Sequence, residues 1–133
     1  MLEAGLKHSV VISVEERQTA AAVGSGGLWV FSTPSMIALM ERCARDAIQP
    51  HLEEGQGSVG TLVNVRHLAA TPVGLQVRCE CELLEVEGKH LLFAVRAYDP
   101  DGLIGEGQHE RYIIDNDRFM KRAQEKLAKH NAD

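Results

Sequence analysis

Residues 33–49, TPSMIALMERCARDAIQ, decide the fold because they predict one long and strongly apolar helix. Thr33 followed by Pro34 is a typical helix start, with the hydroxyl residue as N-cap and proline at the first helical position. The apolar side chains cover more than half of the helical circumference, so we expect the helix to be covered on more than one side. We predict that it ends at about Pro50 or continues to Gly55.

Segments of strand character lie on both sides of this helix. Upstream, we predict strands at residues 9–14 and 19–23, before the glycines that begin at Gly24 break the chain. Downstream, four antiparallel strands are separated by turns that contain proline or glycine. They are predicted at residues 58–69, 75–83, 89–98 and 103–114, and a polar C-terminal helix follows over residues 116–131.

One long apolar helix with an antiparallel sheet gives an α+β domain in which the sheet curls around the helix. This is the layout of the hotdog fold. The chain has 133 residues and shows no repeat and no linker. We therefore predict a single domain over residues 1–133, with residues 116–131 as its terminal helix.

The composition excludes several classes of function. A net charge of −5 argues against a protein that binds nucleic acid or anionic membranes. The first residues lack the apolar run of a signal peptide, and no stretch is suited to crossing a bilayer. Cys43, Cys79 and Cys81 include no CxxC pair and indicate buried thiols in a reducing, cytoplasmic location. The six histidines show no metal-ligand spacing, so we expect no metal.

Glu41 is the first candidate for a catalytic side chain. On a helical wheel it lies within about 40° of Ile37 and Ile48, at the margin of the apolar face. A partly buried carboxylate costs several kcal/mol unless another group pairs with it. The alternative is a surface ion pair with Arg45, which contributes only about 0.3–0.5 kcal/mol. Periodicity alone does not decide between the two.

His67 and Thr33 are the other two candidates. His67 alternates with Val63 and Val65 on one face of its strand, where a histidine is usually a core residue but can also act as a general base. Thr33 is explained well enough as an N-cap. A helix start also offers free N–H groups and the positive end of the dipole, which suit an oxyanion, and a hydroxyl there can be a nucleophile.

His109 and Arg111 fall on the same face of the last predicted strand, because side chains alternate along a strand. They could form a polar cluster. Solvation at the end of a strand is the simpler interpretation.

Three segments together resemble the fluoroacetyl-CoA thioesterase-like family of hotdog proteins. They are VFSTPSMIALMERCA (30–44), GSVGTLVNVRHLAATPVG (57–74) and IGEGQHERYII (104–114), and they occur in the family's order over nearly the whole chain. The resemblance implies hydrolysis of an acyl-CoA thioester without a metal or redox cofactor.

The resemblance also implies three catalytic residues. The family has a threonine before the central helix, a glutamate within it and a histidine in an H-x-A-A-T-P segment, which correspond here to Thr33, Glu41 and His67. Fluoroacetyl-specific members carry a longer, aromatic-rich segment before the threonine, whereas this chain has the glycine-rich VGSGGLWVFST (23–33). The resemblance therefore predicts the reaction class and leaves the acyl group open.

Thr33 and Glu41 are separated by about 12 Å along a straight helix, so their side chains cannot touch. Either the chain bends near Pro34 or the site is assembled from two subunits. Hotdog dimers commonly form active sites between subunits, which favours the second option. We therefore expect a homodimer, or a tetramer, in which at least one of the three residues acts across the interface. His67 is the expected general base, Glu41 orients it or activates water, and Thr33 supplies a nucleophilic or orienting hydroxyl.

Two other functions remain open at this point. Hotdog domains can bind acyl-CoA or another apolar small molecule without turning it over, so the chain could be a binding module. A hydratase acting on enoyl-CoA would need a carboxylate and a histidine close together, and the sequence shows no such local pair. Thiol release from acyl-CoA distinguishes the thioesterase from both.

Overall fold

The computed structural model describes residues 2–131 of the chain. Within them it contains the elements β1 (Lys7–Ser13), α1 (Ala20–Val23), α2 (Thr33–Ile48), β2 (Gln56–His67), β3 (Gln76–Glu87), β4 (His90–Asp99), β5 (Gly102–Asp115) and α3 (Asn116–Asn131). Two short 3₁₀ turns, Glu16–Gln18 and Gln49–His51, precede α1 and follow α2. The strands downstream of α2 were predicted correctly in number and order, with bounds that differ by a few residues.

The five strands form one antiparallel sheet in the order β1-β3-β4-β5-β2, so β1 and β2 are its edges. Helix α2 packs against all five strands. The side chains that α2 buries include Met36, Met40 and Cys43, and Cys79 and Cys81 of β3 are buried as well. The predicted α+β architecture with the sheet around a central helix is confirmed, as is the burial of the three cysteines.

The predicted strand at residues 19–23 is wrong, because Ala20–Val23 form the short helix α1. The hydroxyl of Thr19 accepts a hydrogen bond from the N–H of Ala22 and so caps this turn. Alanines favour helix, and Gly24 ends it at a φ of 81°, which glycine adopts without strain. Thr19 itself forms an isolated antiparallel bridge with Phe31.

The predicted N-cap of α2 is wrong by one residue. Ser32 is the N-cap, and its hydroxyl accepts a hydrogen bond of 3.1 Å from the N–H of Ser35. Thr33 is therefore the first helical residue and Pro34 the second. The hydroxyl of Thr33 is released from capping and is available for another partner.

The C-terminal helix α3 is confirmed over Asn116–Asn131. None of its side chains is buried, in keeping with its polar sequence. Among residues 2–131, no helix combines the length and the apolar character needed to span a membrane.

Candidate active site

Thr33 and His67 meet where α2 begins and β2 ends. The hydroxyl Oγ1 of Thr33 lies 2.7 Å from Nδ1 of His67, within one chain and across 34 residues of sequence. The capping by Ser32 leaves this hydroxyl free to turn toward the histidine. A hydroxyl in hydrogen-bond contact with an imidazole is the pairing that activates a nucleophile.

His67 is partly buried at the end of β2. Its Nε2 is buried and has no hydrogen-bond partner among the described residues. Burial lowers the pKa of His67, and the backbone of Ala69 opposes this shift more weakly. A neutral imidazole that accepts the Thr33 proton at Nδ1 carries its own proton on Nε2, so this arrangement calls for an acceptor at Nε2.

A cavity of about 330 Å³ opens beside this pair, lined by residues of the segments 20–33 and 67–70. Phe31 lies in its wall, whereas the neighbouring Trp29 is 58% exposed. Met36 packs against Gly105, where an added Cβ would overlap the methionine sulfur. Gly105 is opposite His67 in the sheet, so a larger residue there would displace Met36 or the strand beside His67.

Glu41 lies elsewhere on α2 and pairs with Arg111 of β5. The distance from Glu41 Oε2 to Arg111 Nη1 is 3.8 Å. The alternative ion pair with Arg45 is not formed, because Arg45 contacts Asp46 at 3.5 Å. The structure therefore brings Thr33 and His67 together in one chain and places Glu41 in a second cluster.

That second cluster is built on buried groups of β5. His109 is 0% and Arg111 5% exposed, so the interpretation that these residues are solvated at a strand end is wrong. Arg111 donates from Nε to the hydroxyl of Ser58 at 2.8 Å and from Nη2 to the Ser58 carbonyl at 2.9 Å. Its Nη1 donates to Nε2 of His109 at 3.2 Å. The sequence did carry a signal, because alternation places both residues on the face of the buried Ile113.

Gly60 provides the space in which Glu41 lies. The pairing of β2 with β5 shifts register between Gly60 and Leu62, which marks a bulge. A Cβ added to Gly60 would come within 2.7 Å of Glu41 Oε2 and 3.0 Å of His109 Cε1. Any larger residue therefore displaces the carboxylate.

We expect Gly60→Ala to lower kcat by about 10- to 100-fold, because a displacement of about 1 Å is enough to disrupt a reacting geometry. Gly27→Ala is the matched control, since a Cβ there meets nothing within 4 Å. Steady-state thiol release and thermal unfolding of both variants are the measurements. Wild-type kcat in a well-folded Gly60→Ala protein would contradict the expectation that catalysis depends on the position of Glu41.

Two further features of the described residues bear on binding. A depression of about 590 Å³ formed by residues of β1, β3 and β4 contains none of the three predicted residues and is lined by both cations and carboxylates. Within residues 2–131, no group of three or more His, Cys, Asp or Glu side chains is placed to hold a metal ion.

Comparison with known proteins gives a consistent assignment. The family model described as FlK, fluoroacetyl-CoA-specific thioesterase, matches residues 14–117. The fluoroacetyl-CoA thioesterase of Streptantibioticus cattleyicolor is 44% identical over 97 residues, which are 73% of this chain and 70% of that protein. A solved structure of the fluoroacetyl-CoA thioesterase FlK matches with a TM-score of 0.90 and 35% identity, covering 95% of this chain and 98% of that one.

A further structure, a variant of that enzyme in complex with acetyl-CoA, matches with a TM-score of 0.91 and 34% identity, covering 94% of this chain and 98% of the other. The chain therefore belongs to the fluoroacetyl-CoA-specific thioesterase family and is an acyl-CoA thioester hydrolase with the hotdog fold.

Proposed function

We propose that the chain hydrolyses a small acyl-CoA in a site to which two subunits contribute. Thr33 and His67 come from one subunit and Glu41 from the other. The observation that carries this proposal is the 2.7 Å contact between Thr33 Oγ1 and His67 Nδ1 beside a cavity. A nucleophile and its base are thus paired in one chain, and the proposed site is completed by a carboxylate.

In the first step, the Thr33 hydroxyl transfers its proton to Nδ1 of His67 and Oγ1 attacks the thioester carbonyl carbon. The carbon–sulfur bond then breaks, and the CoA thiolate leaves with the proton held by His67. At the start of α2, Pro34 has no N–H, and the N–H groups of Ser35 and Met36 bond to Ser32. This leaves the N–H of Thr33 and the helix dipole to stabilise the oxyanion.

In the second step, water attacks the carbonyl carbon of the acyl-threonine ester and Glu41 accepts a proton from it. The bond from that carbon to Thr33 Oγ1 then breaks, Oγ1 takes the proton back from Glu41, and the free acid leaves. Glu41 suits this role because its carboxylate is about two-fifths exposed while a fixed, buried guanidinium stands beside it. Within one chain, the helical rise of about 12 Å keeps Glu41 away from Thr33. Glu41 of the proposed site therefore comes from the partner subunit. Both steps use only side chains and water, with no metal or redox cofactor.

The surface that supports a homodimer is the open edge of β2. Leu62 is 45% and Val63 39% exposed on this edge strand, which pairs with β5 on one side only among the described residues. Such an edge favours pairing with another strand, and a twofold axis would bring two β2 strands together. His67 ends β2, so this pairing would place one subunit's His67 near the other subunit.

Mixed dimers test the shared site directly. We expect Thr33→Ala and Glu41→Gln subunits each to be nearly inactive alone. When the two are co-expressed and mix at random, about half of the dimers carry both subunits and have one intact site, which restores about a quarter of wild-type thiol release. A mixture as inactive as its components would show that all three residues act within one chain.

The size of the cavity bears on which acyl group is hydrolysed. A cavity of about 330 Å³ with Phe31 in its wall suits a short acyl chain, and a variant of the related enzyme binds acetyl-CoA. The proposed substrates are therefore short acyl-CoAs, fluoroacetyl-CoA among them.

Three buried free thiols favour a reducing cytoplasmic location.

A further inference from the structure

His109 is a buried histidine to which the proposed mechanism gives no role. Its side chain is fully buried on β5, and its ring stacks on Phe93 with centroids 6.3 Å apart. An apolar residue of similar size would fill this place without polar groups to satisfy. A histidine here is explained only by the hydrogen bonds that it makes.

Those hydrogen bonds fix its tautomer. Nδ1 lies 2.8 Å from the carbonyl oxygen of Leu62, which can only accept, so the proton is on Nδ1. Nε2 lies 3.2 Å from Nη1 of Arg111, which can only donate, so Nε2 presents its lone pair. His109 is thus a neutral acceptor for the guanidinium. Burial lowers the pKa of His109, which favours this neutral form.

The same bonds fix the guanidinium. Ser58 accepts from Nε and Nη2 of Arg111, and His109 accepts from Nη1. The planar group is thereby held on three nitrogens, with Nη1 directed at Glu41. Without the His109 acceptor, Nη1 would lose one partner and the guanidinium could rotate away from the carboxylate.

We propose that His109 is a positioning residue for the hydrolysis, which holds the Arg111 guanidinium beside the Glu41 carboxylate. The inference rests on the proposed role of Glu41 and adds the support that keeps this group in place. It also accounts for Gly60, which makes room for both Glu41 and the His109 ring.

The first test compares two substitutions of His109. His109→Leu fills the volume but accepts nothing, and we expect it to lower kcat by about tenfold or more, since it leaves a buried donor unsatisfied. His109→Gln can donate to the Leu62 carbonyl and accept from Arg111, and we expect it to stay within about threefold of wild type. Equal losses in the two variants would assign His109 to packing alone.

The second test is a double-mutant cycle with Glu41→Gln. If His109 acts through Arg111 and Glu41, His109→Leu has little further effect on kcat once the carboxylate is gone. A purely structural role would reduce kcat equally in both backgrounds. Val77→Ala is the control for destabilisation, because Val77 is buried on β3, which β4 separates from β5. Its effect on kcat should be the same with and without Glu41→Gln.

The third measurement separates this inference from the proposed function. The side-chain N–H signals of Arg111, observed by NMR, should exchange slowly in the wild type and in His109→Gln and rapidly in His109→Leu. Slow exchange in His109→Leu would overturn the positioning role whatever Glu41 does. Rapid exchange together with a fully active Glu41→Gln would reject the role of Glu41, and with it a catalytic purpose for His109.

Discussion

Replacing His67 with alanine should lower kcat for acyl-CoA hydrolysis by about 10²–10⁴ while the fold remains intact. The imidazole is the group that contacts the Thr33 hydroxyl, and no other described side chain bonds to that hydroxyl. Removing it leaves the hydroxyl with the reactivity of an ordinary alcohol. Thiol release at saturating substrate measures the loss, and thermal unfolding checks the fold.

The pH profile gives a second readout of the same assignment. A general base must be neutral, and burial lowers the pKa of His67. We therefore expect kcat/KM to rise with pH through a pKa below the usual value of about 6.5 and then to level off. His51→Ala, an exposed histidine outside the site, is the control and should leave the profile unchanged. Wild-type turnover by His67→Ala would reject the assignment of His67 as the general base.

The sequence predicted the sheet well because its signals are local. Strict alternation from Leu75 to Leu83 and turns with proline or glycine specify strands regardless of what they pack against. The strand predicted at residues 19–23 was wrong for an equally local reason, since a capping threonine followed by alanines supports a helix as well as a strand. The position of the α2 cap was missed because Ser32 and Thr33 are adjacent and chemically equivalent as caps.

The site depended on contacts that no local pattern encodes. Periodicity placed Glu41 at the margin of the apolar face, but its partner Arg111 is on a distant strand. Alternation put His109 and Arg111 on one face, yet a charged side chain is expected to be exposed unless its partners are known. The family resemblance selected Thr33, Glu41 and His67 together, and residue spacing alone could not have paired Thr33 with His67.

Replacing Thr33 with alanine should also lower kcat by about 10²–10⁴, and Thr33→Ser should retain most of the activity, because serine keeps the hydroxyl. The substitution is a clean test because Ser32, not Thr33, caps α2. Ser32→Ala is the matched control, expected to reduce stability by about 0.5–2 kcal/mol with Thr33 still present. An active Thr33→Ala enzyme would mean that water attacks the thioester directly.

An acyl-threonine intermediate, if it forms, shows whether Thr33 and Glu41 act in separate steps of the reaction. If Thr33 carries the acyl group and Glu41 acts on water, Glu41→Gln should release CoA in a single burst and accumulate an enzyme heavier by one acyl group. Intact-protein mass spectrometry detects that species, and it should be absent from Thr33→Ala. Because a direct attack by water produces no such adduct in any variant, acylation of Thr33 in Glu41→Gln would place the two residues in successive steps rather than in one.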